Sequence, residues 1–212
     1  MTSYPGMIRR FRANEDGAAI VEFTIAMPLF LFVFFGLLDF GRLAFHYVTA
    51  ERAMHVAARV AAVRPPACNG VPLINARGLI SQSTLPPDFG TACSAASDVC
   101  AAAVAVTCVG NSANATASEI WTLIQGAMPN DATIANLSFN YDYDRNLGFL
   151  GGPYVPVVTV EVQNLNFQFL SPLSAIVGIS GAAVAPGLGS DIPFPPMSVS
   201  LPAEDLALGT DG

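Results

Sequence analysis

Apolar residues fall along this chain in three patterns, and each predicts a different element. From Ala18 to Leu38 nearly every position is apolar, with Glu22 as the single charge. A 21-residue run of this kind predicts a helix of about 31 Å, the depth of one hydrocarbon core. A buried helix of a soluble domain would keep a polar face, and this stretch has none. Beyond Asp39 the apolar positions thin to one stripe, Leu43, Tyr47, Ala50, Met54, Ala57 and Ala61, at steps of three or four. That spacing predicts an amphipathic helix. Arg42, Glu51, Arg52, His55 and Arg59 lie largely off the stripe, with Glu51, His55 and Arg59 spaced i, i+4 along one face. Pro65-Pro66 stops the helix. One helix from about Ala18 to Val63 would be roughly 70 Å long.

The third pattern has a period of two. Leu137–Asp144 alternates apolar and polar residues, and Val104–Val109 and Met197–Leu201 read as shorter strands. Tyr154–Phe169 reads as a long β segment, Val155–Val162 followed by Asn164–Phe169, with Pro156 marking an edge or a strand start. Ser118 reads as the cap of a short helix, Glu119–Ile124, that stops near Gly126 and Pro129. Pro172–Ile179 suggests another short helix. The expected fold class is therefore α+β. A long N-terminal helix, membrane-spanning and then amphipathic, packs on a small antiparallel sheet.

Charge sets the orientation. Arg9, Arg10 and Arg12 precede the apolar run, which holds the N-terminus in the cytoplasm and exports the C-terminal part of the chain. Residues 1–64 carry net +2 and the remainder −9. So acidic a distal part argues against nucleic acid as a partner. A cleaved secretory signal would need a shorter apolar run and a nearby small-x-small site, which Asp39–Leu43 does not offer.

All four cysteines, Cys68, Cys93, Cys100 and Cys108, lie in a segment rich in small residues. Outside the cytoplasm they are disulfide candidates, with three pairings open. A zinc site would want Cys-x-x-Cys or a nearby histidine, and neither is present. His46 and His55 are nine residues apart on a helix, hence on opposite faces, and cannot share a metal. Asn140, Asp142 and Asp144 alternate like calcium ligands but lack the glycine and glutamate of an EF-hand loop. Asn114-Ala115-Thr116 and Asn136-Leu137-Ser138 have the form of glycosylation acceptors. No nucleophile elbow, zincin, P-loop or dinucleotide motif is present, so the chain does not read as an enzyme. The sequence identifies no cofactor, metal or small-molecule substrate.

Glu22 is the odd residue of the apolar run. A carboxylate inside lipid costs on the order of 3 kcal/mol and normally has a partner; at the headgroup interface it would suit a helix N-terminus. The residues before it are Asp16-Gly17-Ala18-Ala19-Ile20-Val21-Glu22-Phe23. This stretch resembles the processing site of type IV pilin-like proteins, and most closely the TadE-like pseudopilins of the tight-adherence (Flp pilus) system. Arg9–Phe11, Pro28-Leu29 and Asp39–Arg42 extend the likeness, which is good over residues 9–64 and loose beyond. Flp pilins usually carry Tyr where this chain has Phe23. TadE-like heads similarly order a Val-Thr-Val strand, a Pro-Leu turn and a short last strand.

The resemblance implies a leader, Met1–Gly17, removed by a prepilin peptidase between Gly17 and Ala18. Glu22 and Phe23 then take the Glu-aromatic positions, and Glu22 faces the new ammonium of Ala18 on its own or a neighbouring chain. It also implies an inner-membrane protein spanning once at about 18–38, with residues 18–64 as the N-terminal helix. Residues 65–212 form a periplasmic domain that includes the cysteine segment 68–108. The implied partners are prepilin peptidase, other pilin-like subunits, the pilus assembly platform and membrane lipid. The competing class is a periplasmic enzyme or binding protein that uses the helix only as a tether, which needs neither Gly17 nor Glu22.

Overall fold

The computed structural model describes residues 17–79, 86–169, 192–204 and 206. Helix α1, Ala18–Val63, is continuous through Pro28, which has no N–H to give the carbonyl of Thr24. By its contacts the chain divides into two units, Met1–Leu43 with Gln168–Ile192, and Ala44–Phe167 with Pro193–Gly212.

In the first unit, α1 leaves its large apolar side chains uncovered, among them Ile20, Phe23, Ile25, Leu29, Phe30, Val33, Leu37 and Leu38. It is long and apolar enough to cross a membrane. Neighbouring rings touch along it, with Phe30 and Phe34 stacked at 5.9 Å.

The second unit holds an antiparallel sheet of four strands: β1 Val106–Val109, β2 Leu137–Asp142, β3 Val157–Val162 and β6 Met197–Pro202, in the order β1-β2-β3-β6. β4 (Asn166–Phe167) and β5 (Ile192–Pro193) are two-residue strands outside it. The register puts Cys108, Phe139, Val160 and Val199 in one row and Val106, Tyr141, Val158 and Leu201 in the next. These rows share the core face, where Phe139, Tyr141, Val158 and Val160 are buried. Each such side chain contributes about 1.5–3 kcal/mol. The opposite face carries a polar row, Thr107, Asn140, Thr159 and Ser200. Thr107 Oγ1 donates to Asn140 Oδ1 at 3.0 Å, and the Thr159 and Ser200 hydroxyls meet at 2.8 Å.

The lower half of α1 turns Ala50, Met54, Ala57 and Ala61 into the core of this unit, together with Ala53, Ala58 and Ala62. The buried side is thus wider than the stripe read from the sequence, and Tyr47 stays exposed at its upper end. Alanine suits this place because it has little side chain to hold the neighbouring backbone away. The amide of Glu204 reaches the Ala62 carbonyl at 2.9 Å, a group the helix end leaves without an internal partner.

Several elements differ in extent from the sequence reading. Helix α2 is Ala115–Ile124, a turn longer, and its cap is Asn114 rather than Ser118. Asn114 Oδ1 accepts from the amide of Ala117, and an Asn cap there releases Ser118 to the helix interior. The long β segment is broken: Pro156 precedes β3, and Asn164 takes a positive φ that ends the ladder before β4. Val104 and Ala105 fall outside β1, and β2 ends at Asp142, after which Asp144 turns the chain by accepting from the amide of Asn146. The short helix expected over Pro172–Ile179, like Arg9, Arg10 and Arg12, lies outside the described residues.

Between β2 and β3 the chain forms a loop on which the cysteine-rich segment is laid. Asn75 and the Gly151–Gly152 pair exchange backbone hydrogen bonds of 2.9 and 3.0 Å, and Leu150 does the same with Gly90 and Thr91. Cys93, Val99, Cys100 and Leu150 make a small core there, with Tyr143 against it.

Candidate processing and assembly site

The residues singled out at the start of α1 come together through the helix itself. Ala18 begins the α-helix and Glu22 follows one turn later, so the two share a face. Both are exposed, as is Phe23, and Glu22 has no partner among the described residues. Gly17 is unusual in a different way. A Cβ built on it would meet nothing within 4 Å, and its φ is not in the left-handed range. Neither packing nor backbone conformation explains glycine there.

The far end of the apolar run carries a feature that the sequence reading noted only as part of a motif. Asp39 is buried, and Arg42 Nη1 lies 3.6 Å from its carboxylate, one turn along the helix. The i, i+3 spacing of opposite charges was the available signal. Phe40 meets Phe169 edge-on at 6.0 Å within the same unit.

In the second unit the chain leaving α1 is fixed by side chains of α2. Thr116 Oγ1 donates to the Pro65 carbonyl at 2.7 Å, and Asn114 Nδ2 to that of Pro66 at 3.2 Å. Arg64 pairs with Glu119 at 3.2 Å. Asn114, formally a glycosylation acceptor, therefore has its side chain committed on both sides. Asn136 is committed too, donating to the carbonyls of Gln163 and Asn164. Ala67 N donates to the Tyr141 hydroxyl at 2.8 Å. Burial pushes the Tyr141 pKa upward, against the smaller opposing effect of that amide.

The four cysteines pair as Cys68–Cys108 and Cys93–Cys100. The first joins the end of the helix to edge strand β1 across 40 residues. The second closes a local loop of the small core. His46 rests against the rings of Phe45 and Phe167, and His55 is exposed. No ion pair among the described residues joins Glu51, His55 and Arg59, although their spacing would permit it. The described residues include no group of three His, Cys, Asp or Glu side chains placed to hold a metal ion.

Residues 17–59 match the family model of TadE-like proteins. The match begins on Gly17 and takes in Glu22, Phe23, Pro28 and Asp39–Arg42, but none of the sheet. No curated protein and no solved structure shows significant similarity to the chain. The N-terminal region of this chain is therefore similar to TadE-like proteins.

Proposed function

We propose that this chain is a minor pilin-like structural subunit that acts in assembly of a Flp-type pilus, and so in surface adhesion. Residues 1–17 are its leader, removed by a prepilin peptidase. The helix from Ala18 crosses the inner membrane over about 18–38, and residues 65–212 form the periplasmic domain. The new ammonium of Ala18 pairs with Glu22, of the same or a neighbouring chain, in a medium of low dielectric constant where such a pair is strong. Pilin-like neighbours and the assembly platform are its partners.

The observation that carries this reading is the coincidence at Gly17. The TadE-like match starts there, the α-helix starts one residue later, and no contact with the described residues requires a glycine. Glycine suits an extended backbone entering a protease, having neither a Cβ nor helix propensity. A plain tether needs no such residue. Mass spectrometry of the membrane-extracted protein should find Ala18 at the N-terminus, and an intact Met1 would defeat the maturation step. Glu22→Ala should insert normally yet fail to join its complex.

A further inference from the structure

The half of α1 that belongs to the sheet-bearing unit has a second organised face. Opposite the buried alanines lie Phe45, Val48, Arg52, Val56, Arg59 and Val63. At 100° per residue they fall within about 80° of one another and form a single ridge. Its apolar members are open: Phe45 is 67% exposed, Val48 47%, Val56 46% and Val63 44%. Four exposed apolar side chains and two arginines thus share one face at steps of three and four over five turns, with the apolar groups flanking the charges.

The charges on the ridge are of one sign. Arg52 and Arg59 are seven residues apart, two turns, and point the same way. Neither has a partner among the described residues, unlike Arg64, which is held by Glu119. His55 flanks them, while Glu51 lies farther round the helix. No acidic residue stands on the ridge itself.

We propose that this ridge docks a helix of a different protein, one with an apolar stripe and carboxylates two turns apart. A straight, narrow ridge with this periodicity fits the groove of one partner helix better than a flat surface. The sign of the charge excludes the simplest alternative. Two copies anchored in the same membrane would pack in parallel and set Arg52 against Arg52 and Arg59 against Arg59, which is repulsive.

This inference rests on the reading that the chain assembles with other anchored subunits, and names the chemistry of one of them. It is independent of cleavage after Gly17, so the two can fail separately. The test uses the full chain in detergent micelles and a labelled synthetic amphipathic helix of about three heptads. The peptide carries a leucine stripe and two glutamates seven residues apart, and a second version has lysines in their place. Fluorescence anisotropy should show the glutamate peptide binding at least about 5-fold more tightly, as two exposed ion pairs predict. Arg52→Glu with Arg59→Glu should reverse the preference, and Val56→Asp should remove binding of both peptides. All three positions are exposed, and circular dichroism should show each variant folded as the parent. Equal binding of the two peptides would overturn the proposal. So would self-association of the chain that Val56→Asp abolishes, because the partner would then be a second copy.

Discussion

The two halves of α1 are one helix by backbone and two materials by side chain. Up to Leu38 the residues are mostly large, apolar on all sides and largely uncovered; from Ala44 one side is mainly alanine and sealed. Glycine follows the same division. Gly17, Gly36 and Gly41 have open space where a Cβ would go and no positive φ; in the sheet-bearing unit Gly78, Gly110, Gly148, Gly151 and Gly152 are hemmed by backbone or side chains and Gly70 and Gly90 take a positive φ, with Gly126 the exception. In the sheet-bearing unit, residue identity is explained from within the chain. Along the upper helix it is not, and there the large apolar side chains stay uncovered by the chain itself.

The largest test of this division is to cut the cross-links. Replacing Cys68 and Cys108 by serine frees a 40-residue loop, and Cys93 with Cys100 a 7-residue one. On the chain-entropy account the first loss destabilises the sheet-bearing unit by about 4 kcal/mol and the second by about 2.5 kcal/mol. Urea unfolding followed by the fluorescence of Trp121 reads both. Helicity of residues 18–43 in detergent should not respond. A loss of that helicity on reduction would mean that the two halves are not separate in stability.

A matched pair of methionines sharpens the contrast. Met54 is fully buried, and Met54→Ala should cost the sheet-bearing unit about 3 kcal/mol through lost contacts and a cavity. Met27 is 38% exposed, and Met27→Ala should change the same unfolding curve by less than about 0.5 kcal/mol. Equal effects would show that the apolar half is packed into the fold rather than reserved for its surroundings.

These contrasts were largely legible in the pattern of residues. The helix bounds, the stop at Pro65-Pro66, the four sheet strands and the buried line Ala50-Met54-Ala57-Ala61 follow from periodicity and proline chemistry, which act locally. The cap of α2 was misplaced because Ser118 and Asn114 are both good caps. The choice between them is made by Pro65 and Pro66, roughly 50 residues away in sequence, whose carbonyls Thr116 and Asn114 must reach. The disulfide pairing was likewise open in the sequence, since it depends on Cys68 arriving beside edge strand β1. The ridge of Phe45, Val48, Arg52, Val56, Arg59 and Val63 was in plain sight. Its meaning depends on the opposite, alanine-rich face being already covered, and that covering is set by the sheet-bearing unit rather than by the helix sequence.

The smallest effect distinguishes the halves by titration. The Tyr154 hydroxyl is buried without a hydrogen-bond partner among the described residues, and its pKa is pushed up to about 12 by burial first, with Asp142 and Tyr143 adding to it. The hydroxyl is neutral in both states below pH 10, so stability there does not depend on it. Above pH 10 the unfolded chain ionises Tyr154 while the folded chain resists, and stability falls as pH rises toward 12. Tyr141, also raised, acts in the same direction. The urea midpoint of the sheet-bearing unit should therefore hold from pH 7 to about pH 10 and decline beyond it, whereas residues 18–43 contain no tyrosine and should keep their helicity. Tyr154→Phe should be at least as stable as the parent at pH 7, since it removes an unpaired buried hydroxyl, and should flatten part of the alkaline decline. An unchanged decline in that variant would show that Tyr154 is solvated, and would place the loss with Tyr141 at the junction of helix and sheet.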